Sequence, residues 1–389
     1  MDPRRRRFLR HVAAASASAV AAVAPSVLAQ PARRTVAILG DSRRGGFGHD
    51  MDLVFAGRPW LGDVVVADPD PAGRAAAAKR AGAVRSYADW RDLLQGESPW
   101  LVCIGMRHAT VHHEIAMAAL AMGAHLYVEK PFVASPAEAD AILALARARQ
   151  RRVVVAHSMR MAPAVVALHK AVKEGRLGEL REMRAHGKQD ARAGGEDLVV
   201  LGTHLFDLMR LFAGDPAWLH ASVQHGRRPI TLADRRRVRD DVGWVAGDAV
   251  HATLGFAHGV HAVFSSDAAA REARGHWGLE LTGSLGSARI MADLVPRVLV
   301  RMQRAGRMAA PEDPWTPLAN IPSSEPSRHN VPLVDDWLAA IQEGREPECS
   351  GRNGAWAVEM AAACHASALG GTRVTFPLAR RAHPLDDTP

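Results

Sequence analysis

Thr35-Val36-Ala37-Ile38-Leu39-Gly40-Asp41-Ser42-Arg43-Arg44-Gly45-Gly46-Phe47-Gly48 is a short uncharged run broken by a glycine-rich turn. An apolar run of this length, stopped by Gly, reads as a strand buried on both faces. The pattern recurs at 64–67, 101–104, 126–128 and 153–156. Helical segments alternate with these runs at 71–83, 113–122 and 136–150. The last is announced by Ser135 with Glu138 three residues on, the signature of a capping box. Strands alternating with helices predict a parallel, doubly wound α/β sheet over residues 34–157.

After residue 157 the rhythm changes. A helix at 163–174 ends at Gly175, and strand-like segments follow near 180–187, 217–223, 249–256, 259–265, 277–283 and 287–291. Glycines such as Gly259 and Gly283 separate several of them. This predicts a second domain over 158–380, of α+β type, built on a large and mostly antiparallel sheet. Residues 305–330 read as a polar surface excursion. Helices near 331–343 and 353–369 and a last strand at 373–376 complete it.

The chain has 389 residues, 48% of them apolar and 23% charged, a globular composition of two-domain size. Outside the first 29 residues there are 44 basic against 40 acidic residues, and the densest basic run, Arg235 to Arg239, meets Asp240 and Asp241 at once. Nothing here predicts a nucleic-acid partner. Residues 1–29 differ from the rest. Arg4 to Arg7, Phe8, Leu9 and Arg10 precede a weakly apolar Ala/Ser-rich stretch that ends at Val27-Leu28-Ala29. This arrangement resembles a twin-arginine signal peptide, which predicts export to the periplasm by the twin-arginine machinery. Cys103, Cys349 and Cys364 are odd in number and lack metal-ligand spacing, so buried free thiols and no metal are expected.

Three constellations carry chemistry. The first is the turn after strand one, where Gly40, Ser42, Arg43 and Gly45 stand ready to meet a pyrophosphate at a helix start. Asp68 ends the second strand and is placed to accept from an adenosine ribose, which favours NAD. Arg43, Arg44 and Arg74 keep NADP open. The second is Glu129-Lys130-Pro131 at the tip of a buried strand, where ligands of doubly wound sheets bind. Lys130 is expected to face the cofactor crevice as an acid–base group, with Glu129 fixing it. The third is Gly194-Gly195-Glu196-Asp197 followed by Gly202-Thr203-His204 and Asp207. His204 and Asp207 share one helical face, and Lys188, Asp190 and Arg192 precede them. A polyol site is one reading and a solvated loop the other.

These features together resemble the Gfo/Idh/MocA family, which includes glucose–fructose oxidoreductase and inositol dehydrogenase. Arg160 with Pro163, and the C-terminal Asp335-Asp336-Trp337, Gly344-Arg345 and Val374-Thr375-Phe376-Pro377 segments, extend the likeness over about residues 34–380. The resemblance implies a Rossmann domain and an open sheet that forms homodimers or homotetramers. It further implies a nicotinamide cofactor, a carbohydrate or polyol substrate, and Lys130 and His204 as the acid–base pair. Arg160, Lys188, Asp190, Glu196, Asp197, Thr203, His204 and Asp207 become the expected substrate residues.

Two positions depart from the pattern. Val200 stands where many members carry an Asp, with Glu196 or Asp197 as candidate replacements. Met106-Arg107-His108 stands near the expected nicotinamide, which adds Arg107, and with it His108 and His112, as cofactor or substrate contacts. An exported enzyme also needs a tightly bound cofactor, regenerated in place. The leading expectation is hydride transfer between NAD(P) and a carbinol. The alternatives are a redox-neutral cycle of glycosidase or epimerase type, and a non-catalytic sugar- or nucleotide-binding protein.

Overall fold

The computed structural model describes residues 34–58, 61–270, 277–302 and 313–386. The expected leader and part of the 305–330 excursion lie outside the described residues.

The first sheet holds six parallel strands: β1 (Val36–Leu39), β2 (Val64–Ala67), β3 (Arg85–Tyr87), β4 (Leu101–Ile104), β5 (His125–Val128) and β6 (Val153–Val155). Their order is β3-β2-β1-β4-β5-β6. Every residue of β1, β4 and β5 is buried, as a parallel sheet covered on both faces requires. Helices α1 (Pro71–Ala81), α2 (Trp90–Glu97), α3 (Ala109–Ala121) and α4 (Pro136–Ala148) connect them. Asp70 caps α1 by accepting from the Gly73 N–H, and Ser135 caps α4 by accepting from Glu138 N–H. The expected helix at 113–122 starts earlier, at Ala109, with His108 as its N-cap.

The glycine-rich turn departs from expectation. A 3₁₀ turn at Ser42–Arg44 follows β1, and the described residues between it and β2 contain no α-helix. Gly45, Gly46 and Gly48 all have positive φ, and Phe47 between them is buried. A Cβ on Gly40 would meet the Phe47 ring at 2.4 Å, so Gly40 is what lets this ring fold back over the strand end. Three left-handed residues within four positions do not propagate a right-handed helix.

The second sheet holds β7 (Leu180–His186), β8 (Pro216–His225), β9 (Arg228–Pro229), β10 (Ala249–Phe256), β11 (His261–Asp267), β12 (Gly278–Gly283), β13 (Gly286–Met291), β14 (Arg297–Met302), β15 (Thr316–Pro317) and β16 (Val374–Thr375). The order is β15-β14-β13-β12-β7-β11-β10-β8-β16, with β9 beside β8. All its pairings are antiparallel except β7 with β11. Helices α5 (Pro163–Lys173), α6 (Gly195–Val200) and α7 (Gly202–Ala213) follow β6 and interleave with this sheet's first strands. Apolar residues of α5, α6 and α7 share one core with its strands.

The chain then returns to the first sheet. Leu333, Val334, Trp337 and Leu338 of α8 (Val331–Glu343) belong to a core containing Val36, Ile38 and Tyr127. Helix α9 (Gly351–Gly370) contributes Ala355 and Val358 to the core of the first sheet and Met360 to that of the second. Gly354 permits this approach, since a Cβ there would meet Val155 at 2.6 Å. Trp337 is fully buried, so Trp337→Ala is expected to cost about 3–5 kcal/mol. Urea unfolding, followed by far-UV circular dichroism, measures this as a lower midpoint.

Candidate active site

The carboxyl ends of β1, β2, β4 and β5 open onto three cavities that run in series. The first, of about 270 Å³, is walled by Gly40, Asp41, Arg44, Asp68, Trp90, Met106, His108 and Ile115, among others. The second, of about 380 Å³, is lined by Arg43, Arg44, Gly45, Arg107, His108, Arg239 and Asp240. The third, of about 310 Å³, is a crevice holding Lys130, His204 and Arg107 in its wall. Arg44 and His108 are shared by the first two cavities, and Arg107 by the second and third.

This series matches the sequence of parts in a nicotinamide dinucleotide: a pocket of mixed polar and apolar wall for the adenosine, a cationic one for the diphosphate, and a reactive crevice. The turn itself supplies fewer donors than expected. The N–H groups of Asp41, Arg44 and Gly46 bond within the turn backbone, that of Ser42 donates to Asp68, and that of Arg43 to Asp41. The charge of a diphosphate would fall to the arginine side chains instead. A bound cofactor would be met here by guanidinium groups in place of a helix N-terminus.

Asp68 is a correction. It is fully buried, and its two oxygens already accept from Ser42 N–H at 3.0 Å, Ser42 Oγ at 2.6 Å and Asp70 N–H at 2.8 Å. It braces the turn rather than offering itself to a ribose, and Ser42 is its partner rather than a phosphate contact.

Lys130 leaves the tip of β5 and is almost fully buried, with Nζ 4.0 Å from Glu129 and donating to the Val200 carbonyl at 3.4 Å. The position expected to carry a carboxylate thus offers a backbone oxygen to the ammonium. Burial lowers the Lys130 pKa, against the opposing pull of Glu129. His204 enters from α7 into the same crevice. Burial, and then the charge of Lys130, holds its imidazole well below the ordinary histidine range, so it is neutral. Its Nδ1 is buried without a hydrogen-bond partner. The ring of His157, from the exit of β6, stands edge-on at 5.3 Å, with both its nitrogens unpartnered as well.

The expected substrate residues divide. Lys188 and His204 line the crevice. Arg160 and Asp207 do not. They form a buried bidentate pair, Arg160 Nε and Nη2 donating to the Asp207 carboxylate at 2.9 and 2.8 Å. Burial opposes ionisation of Asp207, yet the Arg160 charge holds its pKa below the ordinary value. Asp197 is likewise corrected. Fully buried, it accepts from Ser266 Oγ at 2.6 Å and Gln189 N–H at 3.1 Å, fastening α6 to β11. Glu196 is not part of the crevice wall, so neither residue replaces the missing carboxylate. Thr203 donates to the Val199 carbonyl, and Asp190 pairs with Arg192. His112 is enclosed by the carbonyls of Met106, Pro131 and Phe132, a structural position.

The crevice also gathers residues that motif reading did not assign to it: His49, Ser158, Trp277, Asp293, His329 and Asn330. His49 follows the last glycine of the turn and sits 4.0 Å from Glu129, so its adjacency to Gly48 was the available signal. Trp277 and His329 come from segments with no motif around them.

Burial pulls the His157 pKa to about 4, against 6.5 for an ordinary histidine. Between those values the unfolded chain binds a proton that the folded chain does not, so stability falls as pH drops through the window. The loss reaches at most about 3 kcal/mol and then levels off below the folded pKa. Urea midpoints taken from pH 7.5 to 4.5 are expected to fall more steeply for the wild type than for His157→Gln.

Comparison with known proteins places the chain among relatives. Sequence models of one family match it twice, as "Oxidoreductase family, NAD-binding Rossmann fold" over residues 49–157 and as "GFO/IDH/MocA C-terminal domain" over 165–289. D-apiose dehydrogenase of Paraburkholderia graminis is 27% identical over 326 residues, 80% of this chain and 82% of that protein. Levoglucosan dehydrogenase of Pseudarthrobacter phenanthrenivorans is 29% identical over 195 residues, 44% of this chain and 50% of that one. A solved levoglucosan dehydrogenase in complex with NADH and levoglucosan superposes with a TM-score of 0.72 at 22% identity, covering 88% of this chain and 99% of its own. That likeness is one of fold.

Proposed function

We propose, from the premise that this chain belongs to the Gfo/Idh/MocA family of NAD-binding oxidoreductases, that it is an exported enzyme moving hydride between a tightly held nicotinamide cofactor and a carbinol of a carbohydrate or polyol. The observation that carries this reading is the meeting of Lys130, at the tip of a strand of the first sheet, and His204, on helix α7, in the wall of one crevice. The named sugar dehydrogenases among its relatives support a carbohydrate substrate. With Asp68 engaged by Ser42, the preference for NAD over NADP rests on the NAD-binding description of the family alone.

When bound, the nicotinamide supplies a hydride acceptor and donor at its C4. The chain supplies the proton chemistry. Neutral His204 takes the hydroxyl proton on a ring nitrogen as the carbinol is oxidised, and returns it in the reverse direction. The Lys130 ammonium donates to the same oxygen and stabilises the negative charge that develops there. Glu129 and the Val200 carbonyl hold that ammonium in place. The near-complete burial of both groups keeps bulk water from the reacting atoms.

Lys130→Met and His204→Asn are each expected to lower kcat/KM for sugar oxidation by about 10²–10⁴-fold while NADH still binds, measured by quenching of protein fluorescence. Because the Lys130 pKa is depressed, wild-type activity should decline with rising pH below the ordinary lysine value of 10.5, and Lys130→Met should lack that limb. Loss of cofactor binding in both variants would refute the assignment of roles.

Export rests on the leader. Arg5 and Arg6, followed by Phe8 and Leu9, place the paired arginines of a twin-arginine signal. Replacing both by Lys keeps the charge and is expected to shift the protein from the periplasmic to the cytoplasmic fraction on immunoblots. An unchanged distribution would overturn this route.

A further inference from the structure

Beyond the reacting pair, three side chains of the substrate domain that only donate hydrogen bonds, Lys188, Arg192 and Trp277, stand in the crevice wall. Lys188 and Arg192 come from the segment between β7 and α6, and Trp277 immediately precedes β12. An ammonium has three N–H donors, a guanidinium five and an indole one, and none of them is an acceptor. The Trp277 indole N–H is buried without a partner. Lys188 Nζ lies 5.8 Å over the Trp277 ring and 3.8 Å from Asp190, too far for a hydrogen bond.

Arg192 is oriented from one side. Its Nε and Nη2 donate to Asp190 at 3.1 and 2.6 Å, while Nη1 is 3.8 Å from Asp240. Asp190 and Asp240 both stand outside the crevice lining. Arg107, on the opposite wall, has an ion contact to Asp240 at 3.8 Å. Two carboxylates line the crevice, Asp293 and Glu129, the latter set 4.0 Å from Lys130. A neutral polyol presents hydroxyls that both give and accept, and is best met by mixed partners. The cluster of Lys188, Arg192 and Trp277 within this wall calls for a group that only accepts.

We infer that the substrate carries an anionic group, such as the carboxylate of a sugar acid, docked against Lys188 and Arg192 with the sugar ring lying on Trp277. Trp277 spans the two functions. Its ring centroid is 6.3 Å from that of His204, while Lys188 lies over its face. A sugar ring on the indole therefore directs one end to the acid–base pair and the other to the cations. The inference rests on the hydride-transfer reading above and narrows its substrate class. A phosphate ester shares the same acceptor chemistry.

The test uses the mature chain loaded with NAD. Reduced-cofactor formation is followed with glucose, galactose, glucuronate, galacturonate and glucose 6-phosphate, for the wild type, Lys188→Met and Arg192→Met. At least one anionic sugar should exceed its neutral parent in kcat/KM by about 10–100-fold, and this ratio should fall toward unity in either variant. Preference for a uronate or for the phosphate identifies the anion. Neutral sugars matching or exceeding every acid, or a ratio unchanged in both variants, overturns the inference. Calorimetric titration of the same holoprotein with glucuronate and glucose 6-phosphate separates the two levels. Binding that weakens with added salt and in Lys188→Met supports the anion site even if no sugar is oxidised, in which case the hydride-transfer reading alone fails. Absence of binding by both anions overturns the site itself.

Discussion

The buried ion pair between Arg160 and Asp207 fixes the geometry on which the chemistry depends. Arg160 lies just past β6, on the chain leaving the first sheet, and Asp207 lies one turn beyond His204 on α7, over the second. The bidentate bond, with a further donation from Arg160 to the Asp207 carbonyl, sets the helix against the strand exit. Buried pairs of this kind are costly to desolvate and are poor evidence of added stability. Their worth here is positional: a small rotation of α7 would carry His204 away from Lys130. His157, four residues before the crevice-lining Met159 region ends at Met161, packs its ring against His204 from the same strand exit, so the seam is held by both charge and contact.

Much of this architecture was legible in the sequence. Uncharged runs of four residues alternating with capped helices specify a parallel sheet because few other arrangements bury such runs on both faces. Glu129-Lys130-Pro131 was legible for the same reason, since a charged pair at the tip of a buried strand has little choice but the crevice. What escaped was pairing. Asp68, Asp197 and Asp207 each look like ligand-binding carboxylates when read along the chain, yet each is consumed by a partner 26, 69 or 47 residues away. A one-dimensional pattern shows where charge is, and not whether another part of the protein has already satisfied it. The two-residue strands β9 and β15 and the short strand β3 (Arg85–Tyr87) escaped for a simpler reason, having too little apolar periodicity to register.

The glycine-rich turn shows how one function can pass between chemical groups. Backbone N–H groups hold a phosphate only if they are free, and here those of residues 41 to 44 and 46 are spent in closing the turn. The cavity beside it is walled by four arginines in compensation. Guanidinium groups are longer and less rigid than a helix end, but they carry full charge. They are also held: Arg44 is bonded to Asp241 and Arg107 faces Asp240, so the loop that follows Arg235–Arg239 brings acidic residues from the second domain against the same cations. Any diphosphate in this cavity shares its arginines with those carboxylates.

The electrostatics of the crevice also connect substrate charge to proton transfer. His204 is neutral because burial, and then the Lys130 charge, disfavour its imidazolium. Such an imidazole is a weak base, and its conjugate acid a strong proton donor, which by itself favours reduction over oxidation. An anionic substrate would change that balance. Its charge, held by Lys188 and Arg192 across the Trp277 ring, would lie within the same low-dielectric crevice and raise the basicity of His204. An anionic substrate would thereby bring the negative charge that Val200, in the place where a carboxylate was expected, does not carry.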